Sequence, residues 1–289
     1  MPDPYRHSIA ELITRYELEP DLRDLYVEGD RDRFLLKWFF KRIGRRGVTV
    51  YLIESSVDVP AALLARHGGH GNRGRIIALC VELASALPNT GKAVRGLIDK
   101  DYSEILGTIP TARFLIVTEF SCLECYAIGE RTLDKFCHLY LGYIVPREHF
   151  DEMFGILAEL FLLRAAKIAL TNSAVWPDSF ARLCRLNRGL VYFSRAEFVD
   201  RLLNAAAGAI ERYALEEKVT ELRAKLSIDF RQHLNGHDLI QLFSWYAHQV
   251  GVDRSIYNKV AMQRGLLTSI ELEELQMCVL FKTLLSWSE

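Results

Sequence analysis

The sequence predicts an α/β fold: a Rossmann-like parallel sheet with helices on both faces, followed by an all-helical C-terminal region. Three observations predict it. The first half holds four short apolar runs, at 25–27, 48–53, 94–98 and 113–118, rich in Val, Ile, Leu and Tyr. Near-continuous apolar runs mark strands covered on both faces. Helical stretches separate these runs, so crossovers join the strands and the strands run parallel. The glycines are also uneven, with 12 of 18 in residues 1–142 and 6 in 143–289, so turns punctuate the first half and long helices fill the second.

The elements follow in order. After the first strand, residues 31–46 set Phe34, Leu35, Trp38, Phe39 and Ile43 on one stripe, with basic residues at the end that suits the helix dipole. The second strand, 48–53, precedes an amphipathic helix over 75–88 that stops at Pro88. Strands three and four complete the sheet. Beyond residue 143, apolar positions recur at helical spacing over 147–170, 195–226, 228–250 and 268–287. Opposite charges three and four residues apart in 219–234 suit a solvated helix face. The 289 residues suggest about two domains, 1–142 and 143–289, with the boundary at Gly142–Pro146. The helical domain is expected to serve self-association and partner docking. No repeat appears at solenoid periods.

Composition excludes several classes. At 50% hydrophobic and 25% charged, the chain is neither disordered nor low in complexity. Lys plus Arg number 36 and Asp plus Glu 37, a net charge of −1, which excludes a protein that coats nucleic acid by bulk charge and leaves room for a local basic groove. Six cysteines spread through apolar sequence read as reduced, buried thiols, and with them a cytoplasmic location. The first twenty residues lack a secretory pattern. Glu159, Arg164 and Lys167 interrupt the most apolar stretch, 154–170, which reads as a buried helix and not a membrane span.

Ligands of open α/β sheets bind outside the carboxyl ends of the strands. There this sequence places Glu28-Gly29-Asp30, then Glu54 with Ser55, Ser56 and Asp58, then Asp99-Lys100-Asp101, then Glu119 and Glu124. Clustered like charges are unfavourable unless a cation neutralises them. Oxygen ligands without His or Cys select a hard ion, Mg²⁺ or Mn²⁺. Gly29 permits a positive φ and the close approach of a ligand.

Tyr26-Val27-Glu28-Gly29-Asp30 before a helix, with Ile98-Asp99-Lys100-Asp101 ending a later strand, resembles a TOPRIM domain, the fold of topoisomerases, primases and OLD-family nucleases. The resemblance covers about residues 20–130. Gly68-Gly69-His70-Gly71-Asn72, the Glu119…Glu124-Cys125-Tyr126 segment and Asn235-Gly236-His237-Asp238 are similar to a bacterial TOPRIM subfamily that includes the nuclease effector of the PARIS anti-phage defence system. The resemblance implies a toxic effector of abortive infection. An ATPase related to the AAA and ABC classes would hold it inactive, and on release, as a homodimer, it would cleave host tRNA. It implies Glu28 as metal ligand or acid/base, Asp99 and Asp101 as the metal-binding pair, and Glu124 as a further acid, with Glu119 and Glu54 as additional candidates. No G-x-x-x-x-G-K-[ST] occurs, so an ATPase would be a separate chain.

Lys100 would offset charge or touch phosphate, although strand alternation turns it away from the two aspartates. The helix start after the glycine-rich segment, with Arg73 and Arg75, offers donors for a backbone phosphate. Lys41 and Arg42, with Arg45 and Arg46, form a candidate nucleic-acid track. Other readings stand beside these. Strand-end acids also serve as loop solvation, and Glu119 or Glu124 as partners of Arg113 or Arg131. Cys122-x-x-Cys125 with Cys137-His138 reads as buried thiols rather than zinc ligands. His233 and His237 have the i, i+4 spacing of a helical metal pair, without the Glu of H-E-x-x-H. Tyr102 beside the D-x-D lacks the other domains a topoisomerase needs. The D-x-D-x-Ser echo of haloacid dehalogenase phosphatases follows the third strand, not the first. Phe243, Trp245, Tyr246 and Tyr257 suit either a docking patch or a core. DNA in place of RNA, and an inactive TOPRIM module bound to an ATPase, remain the rival functions.

Overall fold

A computed structural model describes residues 6–67, 70–88, 91–171, 175–177 and 180–289. Gly68 and Gly69 of the glycine-rich segment, and residues 1–5 of the N-terminal stretch, lie outside the described residues. The chain divides into two compact units. Unit 1 comprises residues up to Lys100, Ile109–Glu119 and Leu275–Glu289; unit 2 comprises Asp101–Thr108 and Phe120–Glu274.

Unit 1 is an α/β layer structure. The strands of its main sheet are β1 (Arg23–Val27), β2 (Val48–Leu52), β3 (Val94–Ile98) and β4 (Leu115–Val117), close to the runs expected from the sequence. All pairings are parallel and the order is β2-β1-β3-β4. Val27 sits opposite Leu52, and Tyr26 opposite Gly96. Its longer helices before residue 100 are α1 (Ile9–Leu18), α2 (Asp30–Arg42) and α3 (Gly71–Ala86). Ser8 and Glu11 close a capping box that starts α1.

Residues alternate between the faces of the sheet. Tyr26, Val94 and Ile98 join Leu12, Tyr16, Ile76, Leu79 and Leu83 in one core on the α1–α3 side. Arg95, one residue on from Val94, lies with its guanidinium 6.0 Å from the Trp287 ring, which places the C-terminal segment on the other face. There Phe39 of α2 meets Phe281 at 4.7 Å, edge to face. At Gly96 the side chains of α3 lie directly against the sheet. A Cβ there would fall 2.5 Å from both Cys80 Sγ and Ile76 Cγ2, so only glycine fits.

Unit 2 is mainly helical: α4 (Arg147–Leu170), α5 (Arg195–Ala205), α6 (Arg212–Arg223), α7 (Gly236–Gln249) and α8 (Lys259–Thr268). An antiparallel hairpin, β5 (Cys184–Asn187) and β6 (Leu190–Phe193), precedes α5. Leu157, Leu160, Phe161 and Leu163 of α4 are buried. Arg195 bonds both Glu159 of α4 (2.5 Å) and Glu216 of α6 (2.8 and 2.6 Å), linking three helices.

Several helices differ from the expectations. The 195–226 helix breaks in two, because Ala207 (φ 48°) and Gly208 (φ 85°) leave the helical region. The helix expected over 228–250 begins only at Gly236, with Asn235 as its N-cap. His233 therefore lies in a 3₁₀ turn, Phe230–His233, and does not share a helix with His237. The 268–287 helix divides into Leu272–Met277 and α9 (Val279–Trp287). Among the described residues no helix is long and apolar enough to cross a membrane.

Candidate functional site

The strand order determines where a ligand would bind in unit 1. The chain leaves β1 toward β2 on one side and returns to β3 on the other, so the sheet reverses between β1 and β3. The crevice outside that point is where open α/β sheets hold ligands. Glu28 directly follows β1 and Asp99 directly follows β3. Glu28 Oε1 accepts a hydrogen bond from the Asp99 amide at 3.1 Å.

A third strand end joins them. Glu54, in the short helix after β2, accepts from Asn72 Nδ2 at 3.1 Å. The same amide donates to the Glu28 carbonyl at 2.8 Å. Arg73 donates through Nη1 to the Asp99 carbonyl. Asn72 and Arg73 lie in the first turn of α3, so that helix N-terminus faces the crevice, and α2 starts two residues after Glu28, with Gly29 as its N-cap. Both positive helix ends lie beside carboxylates, an arrangement the helix dipole favours.

Gly29 does not use a positive φ; its value is −132°. Its amide donates to Asp32 Oδ2 at 2.9 Å, and a Cβ would meet that oxygen at 3.3 Å, so close approach is what favours glycine here. Lys100 is buried. Its amide donates to Thr118 Oγ1 at 2.8 Å, and its ammonium to the Glu119 carbonyl at 2.6 Å. It ties the ends of β3 and β4 together. Glu119 Oε2 in turn accepts from the Leu280 amide at 2.8 Å, at the start of α9.

The remaining candidates are placed as follows. Lys41 and Arg42 are exposed at the C-terminal end of α2. Thirteen residues of helix put them roughly 20 Å from the Glu28 end. Arg45 pairs with Glu289 at 2.8 Å, and Arg75 is half-buried on α3.

In unit 2, Asp101 has φ 47°, the left-handed region that Asp enters more readily than most residues, and its amide donates to the Ser121 carbonyl at 2.7 Å. Glu124 accepts from Gln263 Nε2 at 2.7 Å and sits where a Gly236 Cβ would fall. Asn235 caps α7 and donates to the Tyr102 hydroxyl at 3.2 Å; Tyr102 is packed 4.6 Å from the Phe161 ring, and burial pushes its phenol up. Asp238 is buried and takes two bonds from Arg164, at 2.8 and 2.7 Å. His233 Nε2 accepts from the Ser227 amide at 2.6 Å, and His237 is exposed. Cys122 and Cys125 sit with their sulfurs 3.4 Å apart. Among the described residues no three His, Cys, Asp or Glu side chains are grouped so as to hold a metal ion by themselves.

Asn72 and Thr118 are the partners that sequence reasoning missed as such. Only the position of Asn72 at a helix start signalled it. No protein-family model matches the chain, and no curated protein matches it.

Proposed function

We propose that the protein is a metal-dependent TOPRIM-type nuclease. On this reading it is an RNA-cleaving effector of anti-phage defence that acts on tRNA after release from a partner ATPase. The observation that carries the nuclease reading is the Glu28–Asp99 contact at the point where the parallel sheet reverses. The defence role, the ATPase and the tRNA substrate rest on the sequence resemblance alone.

The donor set fits a hard cation. Mg²⁺ keeps several waters and is usually held by one or two carboxylates plus substrate phosphates, not by an all-protein cage. Glu28 and Asp99, each directly after a strand, suit that mode. Glu28 and Asp99 would hold the ion, with Asp101 two residues further along the chain. When bound, Mg²⁺ or Mn²⁺ supplies an acidified water and charge neutralisation at a scissile phosphate. The chain's own residues do the positioning. Asn72 fixes the backbone at Glu28, Arg73 fixes the backbone at Asp99, and the first turns of α2 and α3 favour the anion.

A second reading is an inactive TOPRIM module that works by binding an ATPase. Glu28 already accepts from the Asp99 amide and Glu54 from Asn72, bonds that hold the strand ends together without a metal, and this favours it. The test is to express the wild type and Glu28→Gln with the candidate ATPase and trigger, and to sequence RNA ends. New tRNA ends that need Glu28 support the effector reading. Fragmented DNA beside intact RNA moves the substrate. Intact RNA and DNA with copurifying proteins favour the module.

A further inference from the structure

The β5–β6 hairpin of unit 2 belongs to no site described so far. Arg185 and Tyr192 face each other across its strands, and Arg188 and Gly189 form its turn, with φ of 50° and 77°. Beside it lies an open cavity of about 510 Å³, lined by Arg182, Arg185, Leu186, Asn187, Trp245 and Gln249 among others. Among the described residues no carboxylate lines it.

Arginines of this unit are of two kinds: Arg131, Arg147, Arg254 and Arg264, like those at the hairpin, take part in no ion pair among the described residues, and others do. Arg164, Arg195, Arg201, Arg212, Arg223 and Arg231 of the same unit all pair with carboxylates. Arg182, Arg185 and Arg188 are exposed and take part in no ion pair among the described residues. Three exposed guanidinium groups on or beside one hairpin give a local excess of positive charge, even with Glu152 held at the Val191 amide (2.6 Å), on a chain of net charge −1.

We propose that this groove binds a single-stranded polynucleotide. The arginines supply the phosphate contacts. The half-exposed Trp245 offers a ring face on which a base stacks whatever its identity. The amides of Asn187 and Gln249 carry both donors and acceptors for base edges or sugar hydroxyls. The cavity lies within the ~300–1,000 Å³ of ordinary ligand sites. Its use, holding a strand for cleavage, rests on the nuclease reading; binding itself does not.

The test uses the full chain carrying Glu28→Gln, in EDTA, so that cleavage plays no part. Labelled single strands of about 12 nucleotides, RNA and DNA, lie within the ~4–16 that such sites span. Fluorescence anisotropy gives affinity against salt, and tryptophan emission reports stacking. The added pair Arg182→Gln and Arg185→Gln, both at exposed positions, should weaken binding and reduce the slope of log affinity against log salt by about 1.4, or ~0.7 per lost phosphate contact. Strand binding should quench emission, and Trp245→Phe should remove that quench. Equal affinity for both strands makes any single strand the ligand, and tighter RNA binding makes it RNA; either supports the groove. An unchanged slope in the arginine variant overturns it. So does failure of both strands to bind, including where the arginine variant instead loses association with a protein partner. Binding through the arginines by a protein whose wild type cleaves nothing overturns the nuclease reading alone.

Discussion

Glu119 accepts a hydrogen bond from the amide of Leu280, 161 residues away in sequence, at 2.8 Å. Leu280 lies in the first turn of α9, so the carboxylate caps that helix and stabilises its positive end. A strand-end acid proposed as a metal ligand thus already has a structural task. Glu119→Gln keeps an acceptor oxygen, and Glu119→Ala removes it. The Ala variant should lose about 1–2 kcal/mol in urea denaturation, and the Gln variant clearly less. Divalent-ion affinity should stay at the wild-type value in Gln. A drop in ion affinity with stability intact would make Glu119 a ligand after all.

Gly96 leads to a packing prediction. Its missing side chain lets α3 press Cys80 and Ile76 onto β3. Gly96→Ala should cost about 1–3 kcal/mol by overpacking. The double variant with Cys80→Ala should recover part of that loss, since the clash is shared. Additive losses in denaturation would show that the two sites are not coupled.

Asp24 leads to a pH prediction. It is buried on β1, 3.1 Å from the Tyr16 hydroxyl and 3.5 Å from Arg15. Burial raises its carboxyl above the usual range, against the opposing pull of Arg15. A carboxyl raised in the folded state contributes stability that is full below its unfolded value and is lost as pH rises through the folded one. Stability of the wild type relative to Asp24→Asn should therefore fall as pH rises from the acid side toward neutrality. Urea midpoints over that range measure it, and a difference that grows with pH would contradict the assignment.

How much was legible depended on whether the cause was local. Four strands and α4 were readable because apolar runs and helical spacing sit within a dozen or so residues. The acids after β1, β2 and β3 were readable for the same reason. The hairpin lies outside the sequence expectations, although Asn187-Arg188-Gly189 is a turn signal between alternating runs. Gly208 and Asn235-Gly236 marked the helix breaks, but apolar periodicity on both sides masked them. The placement of Leu275–Glu289 with the sheet of unit 1 has no local signal. Neither do the bonds Asn72 and Leu280 make with Glu28, Glu54 and Glu119, since each joins distant segments.

Glu28 and Asp99 are proposed to form one cation site at the reversal of the sheet. Mn²⁺ titration followed by electron paramagnetic resonance tests it directly on purified wild type, Glu28→Gln and Asp99→Asn, with circular dichroism to confirm folding. Mn²⁺ should bind the wild type, competed by Mg²⁺, with affinity lowered at least ~10-fold in each folded variant, the lower end of what loss of a ligand's outer-shell partner alone costs. Equal Mn²⁺ affinity in all three proteins, or no binding by the wild type, would contradict it.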